Sequence, residues 1–172
     1  MIPRAHVVAW RARAPWSDDA QVEQDLALSR ALVDLFSQPA IAGQLALRGG
    51  TALNKLHFDP PARYSEDIDL VQVAPGPVGD ALDALRKCLD PWLGQPKWKQ
   101  THAHVTFTYR FEAETVPATP LRLKVEIYTR EHFTVMGLRR MPFAVDNPWY
   151  AGECHVPTFA PEELMGTKTR AL

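Results

Sequence analysis

At 172 residues the chain fits one domain and is long enough to bury a core without staples, and its 46% hydrophobic and 23% charged residues are an ordinary globular balance. A formal net charge of -1 provides no overall basic field of the kind that announces nucleic-acid binding. Cys88 and Cys154 show neither metal-type spacing nor a disulfide framework, no run approaches the roughly 18 apolar residues of a membrane span, and Met1-Ile2-Pro3-Arg4 lacks the apolar core of a signal peptide. The expectation is a soluble, cytoplasmic protein with free thiols and no membrane contact.

Residues 1–16 mix Trp10 and Trp16 with arginines and Pro15, which predicts an irregular arm held by its aromatics. Ser17 or Asp18 then caps a helix running to about Ser37, with Val22, Leu26, Leu32, Val33 and Phe36 near one face. The stretch from Pro39 to Gly43 breaks that pattern, and Gln44 to Arg48 reads as a short strand. Ala52 to Leu56 is a helical turn or two that ends at Asp59-Pro60-Pro61.

Two stretches organise the chain: Leu47-Arg48-Gly49-Gly50-Thr51-Ala52-Leu53, and Arg63-Tyr64-Ser65-Glu66-Asp67-Ile68-Asp69-Leu70. The first is a strand, a tight glycine turn and a helix start. Gly49 and Gly50 permit backbone conformations closed to other residues and a close approach to a ligand, while Thr51 can cap the helix or bond a phosphate at its N-terminus. The second stretch is a strand whose side chains alternate, so Asp67 and Asp69 share a face about 6.6 Å apart while Ile68 and Leu70 point into a core. Like charges side by side are unfavourable without a cation between them, and oxygen ligands suit magnesium better than zinc.

Pro75-Gly76-Pro77 closes that segment, and Gly79 or Asp80 begins a helix to about Leu93 with Leu82, Leu85 and Leu89 inward. A hairpin follows. Val105, Phe107, Tyr109 and Phe111 alternate with His104, Thr106, Thr108 and Arg110, and after the Pro117 to Pro120 loop Leu121, Leu123, Val125 and Ile127 alternate with Arg122, Lys124, Glu126 and Tyr128. Glu126 therefore lies on a polar face, either as a functional acid or as plain solvent exposure. Ala160-Pro161-Glu162-Glu163-Leu164 looks like a helix start with acids in its first turn, and Leu164, Lys168 and Leu172 share a face at four-residue spacing.

The two organising stretches together closely resemble the AbiEii/AbiGii toxin family of the polymerase-β-like nucleotidyltransferase superfamily. The resemblance implies an α+β fold with a mixed sheet flanked by helices. It further implies that Gly49, Gly50 and Thr51 bind a nucleoside triphosphate, that Asp67 and Asp69 bind Mg2+ (or Mn2+), that Glu126 supplies a third carboxylate, and that Lys168, in Lys168-Thr169-Arg170-Ala171-Leu172, meets the nucleotide phosphates. Arg63 and Ser65 either touch a phosphate or substrate, or Arg63 pairs with Glu66 or Asp67. By the same resemblance the protein is the toxin of a bacterial toxin-antitoxin or phage-defence pair with an AbiEi-like antitoxin. Its acceptor would be RNA, notably the tRNA 3′ end, with GTP or a pyrimidine triphosphate as donor. Transfer to a small-molecule or protein hydroxyl, and a nucleotide-binding or partner-binding module without turnover, are the other readings. Relatives continue past the last helix into a further arginine, an aspartate-containing motif and a helical region, so residues 1–172 are expected to be a single nucleotidyltransferase domain without that part.

Other features carry less. No dinucleotide-binding or P-loop glycine pattern and no serine or cysteine nucleophile signature is present. His102 and His104 lack a third ligand at matching spacing, Arg11 with Arg13 and Arg139 with Arg140 read as solvated surface, and Tyr128, Trp149 and Tyr150 read as packing aromatics that could alternatively stack on a base.

Overall fold

The computed structural model describes residues 1–170, apart from the Lys168 and Arg170 side chains, so the expected place of Leu172 lies outside the described residues. A seven-stranded mixed sheet organises the molecule. Its strands are β1 (Leu45–Arg48), β2 (Asp67–Gln72), β3 (Lys97–Gln100), β4 (His104–Glu112), β5 (Pro120–Tyr128), β6 (Leu138–Asn147) and β7 (Tyr150–Phe159), in the spatial order β3-β4-β5-β2-β1-β7-β6. The helices are α1 (Arg4–Trp10), α2 (Asp19–Phe36), α3 (Pro39–Ala42), α4 (Gly49–Ala52), α5 (Gly79–Leu93) and α6 (Pro161–Arg170), with α4 running into a wide π-type turn at Leu53–His57. The architecture is α+β, as expected. No helix among the described residues is long and apolar enough to cross a membrane.

Alternation along the strands decides the two faces of the sheet. Ile68, Leu70, Leu47, Val105, Phe107, Tyr109, Leu123, Val125 and Ile127 are buried against Leu28, Leu32 and Leu35 of α2 and Leu85 and Leu89 of α5. Leu82, expected inward, is only partly buried, and Ala81 takes the buried position instead. The opposite face of β2, β4 and β5 bears the polar residues, and the β4–β5 register follows the alternation read from sequence, with Phe107 opposite Val125 and Thr106 opposite Glu126.

Helix α2 is covered on more than one side, which its single apolar stripe did not indicate. Asp18 caps it by accepting from the Ala20 amide at 2.9 Å. A second core of Ile2, Val7, Trp10, Val22, Leu26, Val33 and Val145 packs α1 and β6 against it. The N-terminal arm is thus helical over Arg4–Trp10, a correction to the irregular arm expected. Seven residues do not form a helix on propensity alone; Val7 and Trp10, three apart on one face, gain it by docking on α2. The hairpin of β6 and β7 also went unread, because Pro142 and Pro157 interrupt it and proline argues against a strand. Here β6 is the sheet edge, where Pro142 is tolerated.

Polar residues of α2 enclosed by this packing are all satisfied, as burial requires. Glu23 accepts from the Ile2 and Glu114 amides at 2.9 and 2.8 Å. Asp25, 2% exposed, accepts from Trp10 Nε1 at 2.8 Å, Trp16 Nε1 at 3.3 Å and Lys55 Nζ at 2.6 Å. Lys55 belongs to the turn that follows α4, so this pair ties the glycine turn to α2. Removing one partner of a buried ion pair leaves the other charge uncompensated, at a cost of about 3–5 kcal/mol. Asp25→Asn should therefore lower the melting temperature by about 10 °C, and Lys55→Met added to it should restore part of the loss in a thermal-unfolding double-mutant cycle. Strict additivity of the two changes would contradict the coupling.

Candidate active site

Strand register brings the acids together. Parallel pairing of β2 with β5 sets Asp69 opposite Glu126 and Asp67 opposite Lys124, and antiparallel pairing of β2 with β1 sets Asp69 opposite Arg48. Paired residues share a face, so one row across five strands reads Arg48, Asp69, Glu126, Thr106, Lys99, and the next reads Asp67, Lys124, Thr108, Lys97. Glu126 is thereby placed beside the paired aspartates rather than in open solvent, with its side chain 18% exposed. Among the described residues, no three His, Cys, Asp or Glu side chains converge into a closed ligand cluster. The acids instead line an open face, with the Lys124 ammonium 3.6 Å from Asp67 and 3.2 Å from Glu126.

Burial and mutual repulsion shape the acidity of this face. Asp69 is pushed from 3.8 up to about 6, first by burial and then by the charges of Glu126 and Asp67, with Arg48 opposing. Burial raises Asp67 as well, against the pull of Lys124. One Asp67 oxygen, Oδ1, is buried and has no hydrogen-bond partner.

The glycine turn abuts this face. Gly49 adopts φ +76°, and a Cβ there would lie 2.5 Å from Asp69 Oδ2, so both backbone conformation and space demand glycine. Gly50 faces open space. Thr51 differs from the expected phosphate ligand: it is 1% exposed, and its hydroxyl donates to the Asp67 carbonyl and bonds Ser65 Oγ at 2.6 Å. With two partners inside the protein, its side chain fastens the turn to the start of β2. Ser65 shares that bond. Asn54, which sequence reasoning passed over, donates to the Gly50 carbonyl and accepts from the Ala62 and Arg63 amides at 2.9 and 3.1 Å. Arg63 is exposed, and of its two readings the pairing with Glu66 or Asp67 is not made, since those acids are engaged by others, Glu66 by Arg122 at 3.3 Å and Asp67 by Lys124.

The remaining candidates separate cleanly. Trp149 and Tyr150, with Trp92, enclose the Arg30 guanidinium at 4.2 to 4.9 Å, so they are packing aromatics. Tyr128 lies on the polar face under Arg48, 4.2 Å from its guanidinium. His104 stacks on Tyr128 and His102 bonds Arg130, so the two do not act as a ligand pair. Arg11 pairs with Asp19, and Arg139 and Arg140 are exposed on β6. Lys168 sits on α6, which packs against α4, but its side chain lies outside what the structure describes. Two of the residues that sequence reasoning missed, Arg48 and Asn54, sit inside or next to the glycine motif, and their signal was adjacency; Lys124, set between Asp67 and Glu126 by strand register, left no such signal.

A sequence model described as nucleotidyl transferase AbiEii toxin, type IV toxin-antitoxin system, matches residues 30–172, which contain the turn and all three acids. The chain belongs to the AbiEii family. No curated protein matches the sequence. Among solved structures, the AbiEii chain is similar to MenT4, a nucleotidyltransferase toxin from Mycobacterium tuberculosis H37Rv, at 16% identity and TM-score 0.61 over 99% of this chain and 59% of that one. It is also similar to JHP933 from Helicobacter pylori, at 17% identity and TM-score 0.60 over 90% of this chain and 58% of the other. These likenesses show the nucleotidyltransferase fold, and the chain spans under 60% of the length of either structure. The family match leaves out α1 and the first part of α2, the segment that supplies Asp25.

The raised Asp69 pKa predicts a pH-dependent stability. Its folded-state value exceeds 3.8, so the stabilisation it contributes is complete below that pH and is lost as pH rises through about 6. Asp69→Asn removes the penalty: in EDTA at pH 7.5 the variant should be more stable by about 1–3 kcal/mol, a few degrees in melting temperature. The gain should shrink towards pH 4. An equal gain at both pH values would contradict the electrostatic origin.

Proposed function

We propose that residues 1–172 form one nucleotidyltransferase domain that moves a nucleoside monophosphate from an NTP to an RNA hydroxyl, the tRNA 3′ end being the acceptor favoured. The observation that carries this reading is the row that sets Asp69 between Glu126 and Arg48, with Gly49 packed against the Asp69 carboxylate. Asp67, Asp69 and Glu126 would hold Mg2+ or Mn2+. The fit rests on an all-oxygen donor set suited to a hard cation, the orphaned Asp67 Oδ1 and the close approach that Gly49 allows. When bound, the ion supplies positive charge to the triphosphate and to the reacting phosphoryl group.

The chain's own residues do the rest. The backbone of Gly49 and Gly50, held by Thr51, Ser65 and Asn54, meets the phosphates. Glu126 takes the proton of the attacking hydroxyl as the new bond to the α-phosphorus forms and the bond to pyrophosphate breaks. Lys168, on the helix packed against α4, meets the departing pyrophosphate, and Arg63, exposed on the loop before β2, meets substrate. An RNA acceptor is supported by a local basic face within a chain of net charge -1. Lys97, Lys99, Arg110, Arg122 and Lys124 share the face that bears the acids. A groove of about 640 Å³ opens beside them between Tyr64, Glu66, Arg110 and Arg122. Backbone phosphates are contacted in this way by clustered lysine and arginine. The family's type IV toxin-antitoxin description supports a cytoplasmic toxin with an AbiEi-like antitoxin and a part in phage defence.

The test is incubation of the purified protein with each α-labelled NTP, magnesium and total bacterial RNA, beside an Asp67→Asn, Asp69→Asn control. Label on tRNA that vanishes in the control is the expected result and names the donor. Label on protein or small molecules alone would overturn the RNA acceptor, and no transfer to any acceptor would overturn nucleotidyl transfer.

A further inference from the structure

The two strands that carry the acids are bridged by one ammonium. Lys124 Nζ stands 3.6 Å from Asp67 Oδ2 on β2 and 3.2 Å from Glu126 Oε2 on its own strand, with the side chain only 27% exposed. Arg48, the cation paired across from Asp69, is committed elsewhere: its guanidinium pairs with Glu131 and lies over the Tyr128 ring. Lysine carries a compact charge on a flexible four-carbon stem, unlike the rigid fork of arginine. Its neighbours outward along the row are Thr108 and Lys97.

We propose that Lys124 is the resident counter-ion of the acidic face, holding β2 and β5 together electrostatically until a divalent cation takes its place. This rests on the reading of Asp67, Asp69 and Glu126 as the cation ligands. An ammonium between Asp67 and Glu126 and a divalent ion on the same oxygens repel each other at short range, so the ion must displace Lys124. Displacement breaks two ion pairs, which weakens cation binding to the protein alone. A triphosphate delivers anionic oxygens to which the displaced ammonium transfers, so cation and nucleotide bind with positive coupling, each tightening the other. Lys124 is a positioning residue in this scheme: it sets when the acids become available.

The experiment measures Mn2+ binding to the full chain by calorimetry and by the paramagnetic signal of free Mn2+, with and without a non-hydrolysable NTP, alongside melting in EDTA. Lys124→Met should melt lower than wild type in EDTA and, without nucleotide, bind Mn2+ about tenfold tighter, because neither ion pair then has to be broken. The gap should close when nucleotide is present. Lys124→Gln, which keeps a polar group, should move in the same direction and serves if the methionine variant does not fold, while Lys97→Met should behave as wild type. Mn2+ binding to either Lys124 variant that is no tighter than to wild type, yet is lost on Asp67→Asn, would overturn the exchange and leave the metal site standing. Binding indifferent to Asp67→Asn would overturn the metal-site reading and the exchange with it.

Discussion

Parallel pairing of β2 with β5 forces like charges together. It places Asp69 directly opposite Glu126, with Asp67 one row away, and like charges opposed on a sheet destabilise it. Much of the surrounding structure can be understood as compensation. Lys124 sits opposite Asp67, Arg48 opposite Asp69, and the raised pKa of both aspartates records the imbalance that remains. A fold that keeps such a face at a cost in stability has a use for it, which is the usual logic of strained and charged functional sites.

The scaffold behind the face is correspondingly stiff. Gly49 turns the chain at φ +76° against the Asp69 carboxylate, Thr51 is bonded to both Ser65 and the Asp67 carbonyl, and Asn54 holds both the turn and the loop that returns to β2. Lys55 carries this rigidity into the core through Asp25 and the indoles of Trp10 and Trp16. The three residues that follow α4, Leu53, Asn54 and Lys55, therefore face core, turn and buried carboxylate in turn, and the widened coil of that segment is what distributes them.

Most of this site was legible because it follows from short-range rules. Alternation put Asp67 and Asp69 on one face and Glu126 on a polar face, and glycine at position 49 signalled the turn. What escaped depended on long-range pairing. Lys124 was visible as a polar-face residue, but its partners are set by a register between strands more than fifty residues apart. Asp25 drew no reading from sequence, since nothing local says that α1 and the turn after α4 will close over it. Thr51 could cap the helix or bond a phosphate by its place after two glycines, and only the tertiary fold turns its hydroxyl inward to the Asp67 carbonyl. The β6–β7 hairpin hid behind two prolines, of which Pro142 is made harmless by its place on the edge strand.

The central claim is that Asp67, Asp69 and Glu126 act as one cation-binding face serving a triphosphate at the glycine turn. A crystal of the protein grown with Mn2+ and a non-hydrolysable NTP, read by anomalous scattering at the manganese edge, tests it most directly. The account predicts manganese on oxygens of all three carboxylates, with the triphosphate against Gly49 and Gly50 and the Lys124 ammonium moved off Asp67. Manganese bound elsewhere, or on the nucleotide alone with Lys124 still between Asp67 and Glu126, would contradict it.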